Sequence, residues 1–142
     1  MELEVLLPAN LKRKAIRSGN EWGWRKKDVD EVFQAAKELR LAALGGQVQF
    51  VFEDGTCELY WLDMDPAKGK ETEEWSQFSE RSIAESRSKF HRLCETTNFI
   101  EEGTKNFQFL SSKAKEPETD LASHLTFVVY LVDEAEWKQL KG

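Results

Sequence analysis

His91 and Cys94 stand three residues apart in this 142-residue chain, a spacing that puts both on one face of a helix. A thiol beside an imidazole is the beginning of a nucleophilic site. Such a site also needs a third group to orient the base, and no signature around these two supplies one. The pair therefore reads as structural and partly buried. Cys57 falls on the apolar side of a strand, where a thiol behaves as a small hydrophobe. Zinc needs about four ligands at suitable spacing and finds only His91 and Cys94. Asp63 and Asp65, followed by Glu71 and Glu74, have the chemistry for a hard cation. They lack the regular ligand spacing and central glycine of a calcium loop. With 26 acidic residues, carboxylate pairs for acid–base work abound, and that abundance removes their specificity. Gly45-Gly46 precedes a strand rather than a helix, the wrong context for a phosphate loop. The expectation is no catalytic residue, no metal and no cofactor.

Charge narrows the partners. Net charge is −6, and it is unevenly spread. Residues 1–40 carry 9 basic and 7 acidic side chains, whereas residues 53–85 carry 10 acidic against 3 basic. A field of that sign attracts basic partners and repels nucleic acid. The basic stretches Lys12–Arg17 and Arg25–Lys27 do flank Trp22 and Trp24, a pattern that single strands of nucleic acid can use. No RNA-binding motif accompanies them, and nucleic acid is not the expected partner. Two cysteines make no disulfide framework and read as free thiols. The start, MELEVLLPAN, has no basic leader, and the apolar run Leu125–Val132 is far too short to span a bilayer. The expected compartment is the cytoplasm, with no membrane partner.

The elements that would position these residues fit one domain over residues 1–142. Residues 2–7 alternate weakly, as a short edge strand. Pro8 opens a helix with Leu11, Ala15 and Ile16 on its apolar face, ended by Gly19-Asn20. Asp28 and Glu31 form a capping-box pattern ahead of Val29, Val32, Phe33, Ala36 and Leu39, against which Trp24 is placed to pack. Residues 71–94 read as one helix or two, with Trp75, Phe78, Ile83, Phe90 and Leu93 inward. Residues 98–103 read as a turn or short strand, and Phe107 and Phe109 alternate as a strand. Residues 113–120 read as a polar loop. His124 to Val132 is nearly continuous apolar, a strand buried on both faces. Asp133 is placed to cap a last helical turn holding Trp137 and Leu140. The fold class is α+β: a mainly antiparallel sheet of four to five strands with a central hairpin, and helices packed on one face.

The hairpin is the best-marked strand pair. Val48, Phe50 and Phe52 alternate with polar positions, and Asp54-Gly55 suits a type I′ turn. That turn would set Phe52 opposite Cys57, Phe50 opposite Leu59 and Val48 opposite Trp61. The other face then carries Gln49, Glu58 and Tyr60 beside the acidic loop. Tyrosine with charge is common at protein interfaces.

Gly23-Trp24, the helix Asp28 to Leu39, and Ala42-Ala43-Leu44-Gly45-Gly46-Gln47-Val48 resemble small immunity proteins of bacterial polymorphic-toxin systems. Those proteins carry a Gly-Trp, a helix, and a Leu-Gly-Gly-acid-Val run into a strand. Trp75, Phe78 and Arg81-Ser82 match a further tryptophan and Arg-Ser ahead of a helix. The resemblance covers residues 23 to about 90, with Gln47 where those proteins have an acid. It implies a non-catalytic cytoplasmic protein that binds and neutralises a cognate protein toxin, a basic nuclease being one form of it. The partner-binding residues expected are Gln49, Glu58, Tyr60, Asp63, Asp65, Glu71 and Glu74. The alternatives are a generic protein-interaction or ligand-binding module and, third, an enzyme using acidic residues.

Overall fold

A computed structural model describes residues 3–141. Five strands form one antiparallel sheet: β1 Ile16–Ser18, β2 Glu21–Trp24, β3 Ala42–Phe52, β4 Gly55–Asp63 and β5 Leu125–Val132. Their order is β1-β2-β5-β3-β4, so β5 is central as its apolar run requires. The helices are α1 Ala9–Lys14, α2 Lys26–Glu38, α3 Trp75–Thr96, α4 Phe99–Asn106, α5 Gln108–Ala114 and α6 Glu134–Lys141.

The first two strands come from a stretch whose local signals point elsewhere. Leu3–Leu6 is a 3-10 turn rather than a strand; residue 2 lies outside the described residues. The helix after Pro8 ends at Lys14, and Gly19-Asn20 instead turns β1 into β2, with Ser18 opposite Glu21. Gly19 takes φ +60°, as the first central residue of such a two-residue turn must. Trp24 is buried, and its indole N–H donates to the Leu11 carbonyl at 2.9 Å, tying α1 to β2. Helix α2 starts earlier than expected, with Arg25 at its N-cap. Asp28 sits buried in the first turn, 3.6 Å from Lys14 Nζ.

Helices pack on one face of the sheet. Phe127 of β5 meets Phe90 of α3 edge-on at 5.1 Å and Phe99 of α4 at 5.5 Å. Val48, Phe50 and Leu59 join them in the core. Helix α3 lays a stripe of buried serines on the sheet. Ser79 donates to the Leu41 carbonyl at 2.9 Å, Ser86 donates to the Met64 carbonyl at 2.6 Å, and Ser82 accepts the Ala43 N–H at 3.0 Å. The β3–β5 register shifts between Ala43 and Gly45. Small hydroxyls let the helix approach closely at this bulge and satisfy its backbone groups.

The β3–β4 hairpin exists, but its register differs from the expected one. Phe50 faces Cys57, Val51 faces Thr56 and Phe52 faces Gly55, so the turn residues are Glu53-Asp54. Only Arg40, Gly19 and Gly45 take positive φ among the described residues, which excludes a type I′ turn at Asp54-Gly55. Moving the turn centre by one residue shifts the pairing by two. Each side chain therefore keeps its face, and the apolar pattern survives. Gly55 serves packing instead: a Cβ there would lie 3.2 Å from the Phe109 ring.

Phe99–Asn106 and Gln108–Ala114 are helical, against the expected turn or short strand at 98–103 and the strand at Phe107 and Phe109. Phe107 is not on a strand but at the N-cap of α5, and Phe109 lies within that helix. Trp61 stacks on Phe107 at 6.0 Å and Phe52 meets Phe109 edge-on at 5.6 Å, so both rings cover the hairpin from the helical layer. Asp133 caps α6 as expected, accepting the Glu136 N–H at 2.9 Å. Trp137 then packs between Trp75 and Phe78.

The sheet is strongly coiled. Ser18 on the outer strand β1 and Thr56 on the opposite outer strand β4 bring their hydroxyl oxygens to 3.4 Å. Flat neighbouring strands lie about 4.8 Å apart, so edges separated by three strands meet only if the sheet curls on itself. The helices cover the convex face. Among the described residues no helix is long and apolar enough to cross a membrane.

Candidate functional site on the concave sheet face

Side chains alternate along strands, and the pairing fixes which residues share the concave face. Val128 pairs with Gly23 and Gln47, Thr126 with Gln49, and Gln49 with Glu58. Glu21 and Tyr130 lie further along the same face, and Tyr60 follows Glu58. Gly23 is required here, since a Cβ would fall 2.2 Å from the Thr126 methyl.

Tyr130 is the organising group. Its hydroxyl donates a short hydrogen bond to Glu21 Oε2, joining β5 to β2. Burial pushes the Tyr130 hydroxyl well above its usual range. The bond to Glu21 and the negative charges of Glu21, Glu58 and Asp65 push the same way. Tyr130 therefore remains a neutral donor surrounded by three carboxylates drawn from β2, β4 and the segment after β4. None of Glu21, Glu58 and Asp65 has a Lys, Arg or His nitrogen within 4.0 Å among the described residues.

The seven residues singled out from the sequence divide. Gln49, Glu58 and Tyr60 do share this face, and Asp65 reaches its edge beside Gly45. Gln49 departs from expectation in one respect: it is not a surface residue but 2 % exposed, because the curled strands close around it. Tyr60 stands at the rim, 77 % exposed, with its ring edge-on to Trp61 at 5.1 Å. Asp63 serves the loop, accepting the Asp65 N–H at 3.0 Å. Glu74 is the N-cap of α3 in a capping box with Gln77. Glu71 is exposed at the far end, where its carbonyl accepts from Lys141 Nζ at 3.2 Å. The side chains of Asp63 and Glu74 thus have local structural duties, whereas Glu71 contributes only its backbone carbonyl.

Glu21 and Tyr130 were missed. The alternation Glu21-Trp22-Gly23-Trp24 was the available signal, two large apolar rings against an acid and a glycine. Tyr130 lay hidden in a strand read as apolar on both sides.

His91 and Cys94 do line one cleft of about 670 Å³, together with Asp30, Phe90 and the basic Arg25–Lys27 rim. His91 Nε2 is 2.7 Å from Asp30 Oδ1, and Arg87 Nε donates to the same oxygen at 2.9 Å. Burial raises the Cys94 thiol above its usual range. A thiol so shifted is the reverse of an activated nucleophile. Trp22 and Trp24 are core residues, and the Arg17 guanidinium lies 4.1 Å over the Trp22 ring, so neither indole is presented as a base-stacking platform. No group of three or more His, Cys, Asp or Glu is arranged to hold a metal ion among the described residues.

Compared with protein-family models, curated proteins and solved structures, the chain matches none.

Proposed function

We propose that this protein is a non-catalytic binding protein of the immunity type, which neutralises a cognate toxin by occluding it. The observation that carries the reading is the concave sheet face, where Glu21, Glu58 and Asp65 gather around Tyr130 with no ion-pair partner among the described residues, beside the exposed Tyr60. A basic surface, such as that of a nuclease toxin, complements this face, and opposite fields speed encounter. An exposed tyrosine at the rim supplies contact area with little rotamer entropy to lose. The resemblance over residues 23 to about 90 points the same way.

The test is co-expression with a toxin-like domain from a neighbouring gene, followed by size-exclusion chromatography of the purified pair. The expected result is protection of the host cell and a stable stoichiometric complex. Absence of both protection and complex would sink the proposal.

A further inference from the structure

We propose that the cleft between α6, the start of α3 and residues 66–71 binds a small amphipathic anion, with an apolar body and an acidic group at one end. The site shares no residue with the concave face and does not rest on the immunity reading. The cleft encloses about 430 Å³, a size suited to a small ligand. Its apolar walls come from four separate parts of the chain: Leu44 of β3, Pro66 after β4, Phe78 of α3, and Trp137 and Leu140 of α6. Phe78 is buried and Trp137 stacks on it at 5.5 Å, which gives the cleft a fixed aromatic side.

Leu44 is there because of the bulge in β3. Ala43 pairs with Leu131 and Gly45 with Tyr130, so Leu44 is the extra residue, without a partner on β5. A bulge re-aims the side chain it releases. Leu44 is turned into the cleft and left 42 % exposed, and Leu140 is 67 % exposed. Two leucines on one cleft thus keep apolar surface in water, which the body of an apolar ligand would cover.

Charge selects the other end of the ligand. Lys68, Lys70 and Lys141 all line the cleft. None of them has a carboxylate oxygen within 4.0 Å among the described residues. Lys141 Nζ lies 4.3 Å from the centre of the Trp137 ring and donates to the Glu71 and Glu73 carbonyls at 3.2 and 3.4 Å. These contacts fix its ammonium without neutralising it. Of the two carboxylates on the same rim, Glu73 is engaged by Arg81 through both oxygens, and Glu71 is exposed. Three ammoniums beside apolar walls complement a ligand that is apolar along its length and anionic at its end.

The test is a titration of isotope-labelled protein with octanoate, followed through the amide cross-peaks and the Trp137 indole N–H. Octanol and octylammonium carry the same chain with a neutral and a cationic end. The expected result is saturable shifts confined to Leu44, residues 66–71, Phe78 and Trp137, with octanol and octylammonium weaker by about tenfold or more. Leu44→Glu should abolish the shifts, and Lys68→Glu/Lys70→Glu should weaken octanoate about tenfold or more. Lys105→Glu/Lys115→Glu, which reverses two exposed charges elsewhere, should change it less than about twofold. The dispersion of the spectrum reports whether each variant is folded. No saturable binding in the millimolar range, shifts scattered over the surface, equal binding of the three probes, or equal loss in both double variants would each overturn the inference. Failure of the toxin co-expression test would leave it standing, since the two sites share no residue.

Discussion

Asp65 reaches back across the sheet so that its carboxylate accepts the Gly46 N–H at 3.3 Å and fills the space that a side chain on Gly45 would need. The Gly-Gly pair, the bulge in β3 and the acidic edge of the concave face are thus one arrangement. Gly45 takes φ +142°, and a Cβ there would sit 1.9 Å from Asp65 Oδ1.

Gly45→Ala should therefore destabilise the protein by roughly 2–4 kcal/mol, combining backbone strain with displacement of Asp65. Denaturant unfolding measures this directly. A loss under about 0.5 kcal/mol, within the range of an ordinary surface substitution, would show that the bulge does not depend on glycine.

Ser82 offers a second probe of the bulge. Its Oγ accepts the Ala43 N–H at 3.0 Å in a fully buried position and donates to the Ser79 carbonyl at 3.2 Å. Removing that acceptor leaves a buried N–H unpaired, so Ser82→Ala should cost about 1–3 kcal/mol. The Ala43 amide should lose protection in hydrogen exchange before the rest of β3 does.

Arg40 provides a stabilising substitution. Helix α2 ends in a Schellman arrangement, with Leu41 N–H bonded to the Ala36 carbonyl at 2.9 Å and Arg40 N–H to Lys37 at 3.1 Å. Arg40 occupies the left-handed position at φ 58°. That conformation costs a non-glycine residue roughly 1–2 kcal/mol, part of which glycine returns as backbone entropy. Arg40→Gly should raise stability by about 0.5–1 kcal/mol, read as a higher denaturation midpoint at unchanged slope. A lower midpoint would mean that the arginine side chain makes a compensating contact.

Stability should fall on the acid side of neutrality. Arg81 donates to both oxygens of Glu73, at 2.7 and 3.0 Å, and these hydrogen bonds hold the Glu73 carboxyl below its ordinary value near 4.5. Lys113 lowers the exposed Asp54 in the same way. At Asp30 burial acts in the opposite sense, and the hydrogen bonds from His91 and Arg87 overcome it, leaving the carboxyl below 3.8. Each group binds its proton more weakly folded than unfolded. Its contribution is complete above the ordinary value and is lost as pH falls through the depressed one. The Tm should hold steady down to about pH 4.5 and drop below it. Glu73→Gln should lower the Tm at neutral pH and flatten that drop. An unchanged acid slope in this variant would assign the transition to other carboxylates.

The sequence alone fixed what depends on near neighbours. The alternation from Val48 to Phe52, the apolar stripe of α2 from Val29 to Ala36, the β5 run and the Asp133 cap are set by residues within a few positions of one another and occur, whereas Leu39, expected to end the stripe, is the exposed C-cap. Half of the concave site was legible on the same grounds, since Gln49, Glu58 and Tyr60 follow from hairpin alternation. Tertiary structure decided the rest. Phe107 and Phe109 have the spacing of a strand, yet Trp61 and Phe52 hold them in the helical layer. The hairpin turns at Glu53-Asp54 rather than at Asp54-Gly55, and Gly55 gives its missing side chain to Phe109. Glu21 and Tyr130 are 109 residues apart and meet because β2 pairs with β5, two residues beyond the Gly23–Val128 pair, and Ser18 reaches Thr56 only because the whole sheet curls. That curl is a sum of strand twists and bulges over the whole sheet, a quantity no local window of sequence contains.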